Sequence, residues 1–402
     1  MFLKTTGKTY YFSSHLHFIY IKLHSCFKGI MLFIFLLCIM IELTWTLWKL
    51  SQILFYSLAS FCLSFLLYPL YIKLLHKLKA GKTIRENTVT GEKSEIFAKL
   101  HAHKQGTPTM WWGLFLIVML IMVLWSFVLQ HFWFISNSLW NSRETYIILF
   151  WFFSMWLIWL VDDYLNIRDY WKVKWLSAKA KLIGMFLFSW WISYWFYVKL
   201  WIDYINFWPI AWKIQVWILF PILTFIATVA VVNAINITDW LDGLAWWLMA
   251  IILACFAAMT FLNGTYLASS IVGILVATLL AFLFFNINPA KLFMWDSWAF
   301  ALWWILSSLI YLMNMRFGIL IPFLIIFGFF IVEFFSSFLQ IFWKKVFKKK
   351  LFAVAPFHHL LEYKWMKETT IVMEAWLIQW ILAAAWILLI LIEYMMMKKG
   401  AL

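Results

Sequence analysis

Residues 214–262 read IQVWILFPILTFIATVAVVNAINITDWLDGLAWWLMAIILACFAAMTFL. Two apolar runs, 214–232 and 244–262, flank one polar cluster that holds Asn233, Asn236, Asp239 and Asp242. Each run is close to the ~20 residues a helix needs to cross hydrocarbon. The same pattern recurs at 51–72, 111–130, 145–161, 180–198, 266–285, 298–315, 319–342 and 371–397, ten runs in all. Of 402 residues 66% are hydrophobic and only 12% charged. A soluble domain carries about 25% charged residues, so this chain lacks the polar surface to cover a water-exposed globule. The reading is an all-α polytopic membrane protein of about ten transmembrane helices. Cys26, Cys38, Cys62 and Cys255 lie in or beside apolar segments without metal-like spacing and read as small hydrophobes.

The net charge of +15 does not signal nucleic acid, because the charges fall in short loops. Residues 73–110, 163–181 and 343–370 carry eight, five and seven Lys or Arg, whereas 131–144, 199–213, 263–265 and 316–318 carry one, two, none and one. The positive-inside rule puts the first set in the cytoplasm. The clusters HKQGTPT (103–109), VDDY (161–164), NAINITDWLDG (233–243), FNINPAKLFMWD (285–296) and APFHHLLE (355–362) then all land on cytoplasmic ends of spans. Five clusters on one face point to a single cleft there. Residues 1–50 read as an N-terminal extension: the apolar run 30–48 is long enough to span or to lie in the interface, and Met31 is a candidate start. Residues 51–397 form the ten-helix domain and 398–402 a short tail.

An ionised carboxylate near hydrocarbon costs several kcal/mol, so acids at the membrane boundary are functional candidates. Asp162 and Asp163 end the third run, Asp239 and Asp242 follow the fifth, and Asp296 precedes the eighth. Several carboxylates converging with Asn partners favour a hard divalent cation, Mg²⁺, over Zn²⁺. Lys104 and Thr109 add a cation and a hydroxyl, and Lys174, Lys179 and Lys181 more positive charge. Cations around acid-bound Mg²⁺ suit phosphoryl transfer. Of the adjacent His358 and His359, one is a plausible acid, base or phosphate donor; neighbours on a helix do not face the same way, which argues against a two-His metal site. A transporter is the rival from another class, but it would bring acids to mid-span rather than to one face.

GTPTM (106–110), VDDY, NAINITDWLDGLA (233–245), FNINPAKLFMWD, VEFFS (332–336) and APFHHLLEYK (355–364) occur in one order. Together they resemble the phospho-N-acetylmuramoyl-pentapeptide transferase family, within the polyprenyl-phosphate N-acetylhexosamine-1-phosphate transferases, over about residues 51–397. The resemblance implies a ten-span fold with both termini outside the cytoplasm and a cytoplasmic-face active-site cleft. It implies Mg²⁺-dependent transfer of phospho-MurNAc-pentapeptide from UDP to undecaprenyl phosphate, releasing UMP. By the same motifs Asp296 falls on the metal ligand, with Asp239 as a second, and Asp162 on the group that prepares the lipid phosphate, with Asp163 beside it. Asn233, Asn236, Asp239 and Asp242 fall on the catalytic and uridine region, Asn286 on the FN asparagine, Lys104 and Thr109 on the substrate grip, His358 on the catalytic histidine, and His359 beside it. The implied partners are UDP-MurNAc-pentapeptide, undecaprenyl phosphate and membrane lipid in the bacterial inner membrane, with a homodimer left open. A GlcNAc-1-phosphate transferase is the alternative within the class. Leu360 stands where the family has a third histidine, and Asn166 where a lysine is common.

A systematic departure accompanies these. Trp111, Trp112, Trp175, Trp240, Trp295, Trp298, Trp303, Trp304 and Trp365 stand where the family pattern has glycine. The chain has 31 Trp and only 13 Gly, against the ~28 glycines that average usage gives for this length. A gene that reads UGA as glycine, translated with UGA as tryptophan, produces both the excess and the deficit.

Overall fold

The computed structural model describes residues 9–77, 107–108, 112–141, parts of 145–153 and 186–199, 201–208, 212–293, 305–314 apart from 312, and 317–400. The chain separates into two compact units, Met1–Leu54 and Phe55–Leu402. The helices are α1 (Thr9–Lys77), α2 (Trp112–His131), α3 (Leu219–Thr238), α4 (Leu244–Leu262), α5 (Tyr266–Asn286), α6 (Leu320–Ile326), α7 (Gly328–Phe347), α8 (Phe357–Tyr363) and α9 (Glu368–Lys398). Strands β1 (Tyr204–Asn206) and β2 (Lys213–Gln215) pair antiparallel with Ile205 opposite Ile214. Among the described residues the fold is otherwise all-α.

Among the described residues six stretches are long and apolar enough to cross a membrane: Leu43–Lys77, Gly113–His131, Leu219–Thr238, Leu244–Leu262, Tyr266–Asn286 and Glu368–Lys398. A seventh is added if α6 and α7, bent by 77° at Phe327, count as one span. The chain is thus a polytopic membrane protein. The expected runs 145–161, 180–198 and 298–315 fall partly outside the described residues. Runs 30–48 and 51–72, distinct by hydropathy, belong to one continuous helix, α1. The run expected from 214 starts as a helix only at Leu219, because Lys213–Gln215 are taken up by β2 and the N–H groups of Val216 and Trp217 donate to the Asp203 carbonyl. The run 319–342 is broken rather than straight. There the buried Gln379 of α9 donates to the carbonyl of Ile326 at 2.9 Å, giving a partner to a backbone group at a helix terminus.

Helices α4 and α5 form the centre, with 72% and 78% of their apolar windows buried against 28% for α9. Small residues allow this: Ser269 of α5 donates to the Ala257 carbonyl of α4 at 2.8 Å, a contact that needs backbones close together. The tight α4–α5 connection makes the chain run back on itself, so the end of α3, the start of α4, the end of α5 and the start of α9 share one end of the bundle.

The other end is locked by the hairpin. Asn206 N–H donates to Asn314 Oδ1 at 2.8 Å, and Asn314 Nδ2 donates to the Tyr204 carbonyl at 2.9 Å. The Asn206 amide also donates to the Asn314 carbonyl, and Ile319 N–H donates to the Asn206 carbonyl at 3.0 Å. Gly318 N–H reaches the fully buried Glu393 Oε1 at 2.8 Å. A Cβ at Gly318 would run into the backbone of Phe207 and Trp208, so only glycine fits this crossing.

Candidate active site

The polar end is built around the loop that joins α3 to α4. Asp239 ends α3, its N–H bonded to the Ile235 carbonyl, and its side chain is half-buried. Gly243 precedes α4 with a left-handed φ of 77° and donates its N–H to Asn286 Oδ1 at 3.0 Å. Asn286 in turn donates from Nδ2 to the Leu292 carbonyl at 2.8 Å. The buried Asp242 gathers more: its Oδ2 accepts from Asn288 Nδ2 at 3.0 Å and from Ala290 N–H at 3.1 Å. Its own N–H donates to Oε1 of Glu368, in the first turn of α9, at 2.6 Å. Charge-assisted bonds of this kind are shorter and stronger than neutral ones, and an acid in a helix's first turn is favoured by the helix dipole. Three segments distant in sequence, 239–243, 286–292 and 368, are thereby clamped together.

The GTPT segment joins them. Phe293 N–H donates to the Pro108 carbonyl at 2.8 Å, so residues 107–108 lie against the loop that leads to Asp296. Lys104, Thr109, Asp162, Asp163 and Asp296 themselves lie outside the described residues. Asn233 and Asn236 are half-buried on the last turns of α3, and Asn233 Nδ2 donates to the Val229 carbonyl of its own helix at 2.7 Å.

The two histidines open α8 and separate in role. His358 and Glu333 of α7 are both fully buried, with Nδ1 2.9 Å from Glu333 Oε2 and His358 N–H donating to Oε1 at 3.2 Å. Ser336 fixes this junction: its hydroxyl donates to the Glu333 carbonyl at 2.8 Å and accepts from Phe357 N–H at 3.0 Å. A carboxylate facing Nδ1 assigns the proton to that nitrogen and leaves Nε2 as the free function of the ring. Nε2 is buried and makes no hydrogen bond to the described residues. His359 turns instead to Glu362, Nδ1 to Oε2 at 2.5 Å, and its ring centroid lies 6.4 Å from that of Trp240. That last contact brings the histidine segment to the 239–243 loop.

The described parts of four of the five polar clusters therefore meet at one end of the bundle, and the fifth, VDDY, lies outside the described residues. Glu333 and Glu362 were in quoted motifs without an assigned role. Glu362 carries a sequence signal, an acid three residues after a histidine on a helix, and Glu333 another, an acid inside an apolar run. Among the described residues no group of three His, Cys, Asp or Glu is close enough to hold a metal. The acids present, Asp239 and Asp242, are hard oxygen donors of the kind Mg²⁺ takes. Asp242 already gives one oxygen to Asn288 and Ala290.

The described residues thus form a polytopic bundle with polar groups gathered at one end. The family model for Glycosyl transferase family 4 matches residues 145–314. The chain is 33% identical over 327 residues to the phospho-N-acetylmuramoyl-pentapeptide-transferase of Clostridium acetobutylicum, covering 80% of this chain and 93% of that one. It is 32% identical over 332 residues to the enzyme so named from Petrotoga mobilis, covering 82% and 96%. For the Staphylococcus epidermidis enzyme the figures are 30% over 339 residues, covering 81% and 95%. The chain belongs to the phospho-N-acetylmuramoyl-pentapeptide-transferase family.

Proposed function

We propose that the chain transfers phospho-N-acetylmuramoyl-pentapeptide from its UDP conjugate to undecaprenyl phosphate, at the cytoplasmic face of the bacterial inner membrane, in peptidoglycan biosynthesis. A phosphate oxygen of the lipid attacks the sugar-bearing phosphorus, the bond from that phosphorus to the UMP oxygen breaks, and lipid I and UMP leave. The observation that carries the reading is the convergence of 107–108, 239–243, 286–293 and 358–368 on one end of a membrane bundle, in a chain of this family.

Asp162, with Asp163 beside it, prepares the lipid phosphate for attack. Asp296 and Asp239 would hold Mg²⁺, which when bound neutralises diphosphate oxygens and eases departure of UMP. Lys104, Thr109, Asn233, Asn236 and His359 line the donor. Asn286 and Asp242 contribute by holding the loops in register, which their backbone hydrogen bonds support. His358, with its proton held on Nδ1 by Glu333, presents Nε2 as a hydrogen-bond acceptor or base toward a proton-bearing group of the substrates. The test is UMP release from UDP-MurNAc-pentapeptide and from UDP-GlcNAc in membranes carrying the protein and undecaprenyl phosphate. Release from the first alone, abolished by EDTA and restored by Mg²⁺, is expected. Release from UDP-GlcNAc alone overturns the substrate; release unaffected by EDTA overturns the metal.

A further inference from the structure

Five non-glycine residues among those described have a left-handed φ: Trp133 at 62°, Trp201 at 55°, Trp217 at 51°, Trp365 at 69° and Lys348 at 54°. Four of the five are tryptophan, although Trp is 31 of 402 residues. For a bulky side chain this region is an outlier, because Cβ crowds the backbone carbonyl; glycine enters it freely.

Hydrogen bonding sharpens the point at three helix ends. After α4, Gly264 N–H donates to the Phe261 carbonyl at 2.9 Å and Thr265 N–H to the Thr260 carbonyl at 3.0 Å, with Gly264 at φ 78°. This paired closure is the Schellman motif, whose left-handed residue is normally glycine. After α2 the same pair recurs: Trp133 N–H to the Gln130 carbonyl at 3.1 Å, Phe134 N–H to the Leu129 carbonyl at 2.9 Å. After α8 it recurs again, Trp365 N–H to Glu362 at 2.9 Å and Met366 N–H to Leu361 at 3.2 Å. The indoles of Trp133 and Trp365 are 93% and 94% exposed, so packing does not offset the conformation they force. An aromatic belt at the membrane surface accounts for exposed indoles, but not for their left-handed backbone.

The core gives an independent sign. The indole N–H groups of Trp246, Trp247, Trp376 and Trp386 are buried with no hydrogen-bond partner among the described residues. Buried tryptophans ordinarily find one, and close helix packing in a membrane favours small residues at such places.

We propose that the protein the cell makes carries glycine at positions 133, 201, 217 and 365, because its gene is read with UGA as glycine. The same rule applied to Trp240 places glycine between Asp239 and Asp242. There the indole ring stands 6.4 Å from the His359 ring, and glycine removes it from beside the histidines; that this matters for substrate rests on the transferase reading.

The experiment is to read the codons and to sequence, by mass spectrometry, peptides of the protein purified from its own cells. UGA codons at 133, 201, 217 and 365, with glycine in the peptides spanning them, are expected. UGG codons, or peptides that carry tryptophan there, overturn the proposal. UMP release by the chain with glycine at position 240 is assayed separately, so a dead enzyme with glycine peptides counts against the transferase reading and not against the recoding.

Discussion

At the hairpin end of the bundle, Asn206, Asn314 and Glu393 all direct side-chain atoms to backbone groups, and the result is a lock. At the polar end, Asp242 and Asn286 do the same work between the α3–α4 loop and residues 286–292. Beside that clamp, however, His358 keeps a buried Nε2 without a hydrogen-bond partner among the described residues. A buried polar atom left unpaired costs about 1–3 kcal/mol, and such groups call for a compensating role. The hairpin end also leaves a buried atom without a partner among the described residues, Asn206 Oδ1; what sets the polar end apart is that its unpaired atom belongs to an imidazole, which can move a proton, and not to an amide oxygen.

Asp296→Asn tests that contrast most severely. If Asp296 holds Mg²⁺ as proposed, removing its charge is expected to lower kcat by on the order of 10³-fold, with no change in melting midpoint. UMP release and thermal unfolding in the same detergent preparation check it, and retained Mg²⁺-dependent turnover sinks the metal assignment.

Glu333→Gln comes next. The amide can donate to Nδ1 and so stabilise the wrong tautomer of His358, which is expected to cost roughly 10- to 100-fold in kcat. KM for the donor is expected to hold. Glu333→Asp, which keeps the charge, recovers part of the rate; equal loss of kcat and folded protein in both variants shows a merely structural role.

Much of this was legible in the sequence for a physical reason. The run 244–262 coincides with α4 and 266–285 matches α5 to within a residue, because a helix buried in a membrane is apolar along its whole length. Hydropathy measures composition and not direction, so it could not register the break at Phe327. Nor could it separate three-residue strands from the loop around them. Asp239 and Asp242 stood out because a charge in apolar surroundings is costly. Glu333 stood out less, since its partner is 25 positions away and meets it only through the turn that returns α8 to α7. Asp242 and Asn286 were legible as important but not as clamps, because their partners are backbone groups that a string of side chains does not show.

At the hairpin end, Asn314→Ala removes both side-chain bonds that Asn314 makes to the β1 backbone. About 2 kcal/mol of stability is expected to go, at roughly 1 kcal/mol per bond, with kcat per folded molecule unchanged. A kcat that falls with stability preserved breaks the division of labour between the two ends.

The smallest effect is expected at Glu362→Gln. The pair with His359 is made within one short helix, three residues apart, and its side chains are 12% and 10% exposed, unlike the fully buried His358 and Glu333. Helical pairs at this spacing contribute about 0.2–0.5 kcal/mol, so donor KM is expected to shift less than about threefold. The comparison within α8 is the informative part. If Glu362→Gln costs as much turnover as Glu333→Gln, the two histidines act as a unit, and the free function of the site is shared by both rings rather than carried by Nε2 of His358.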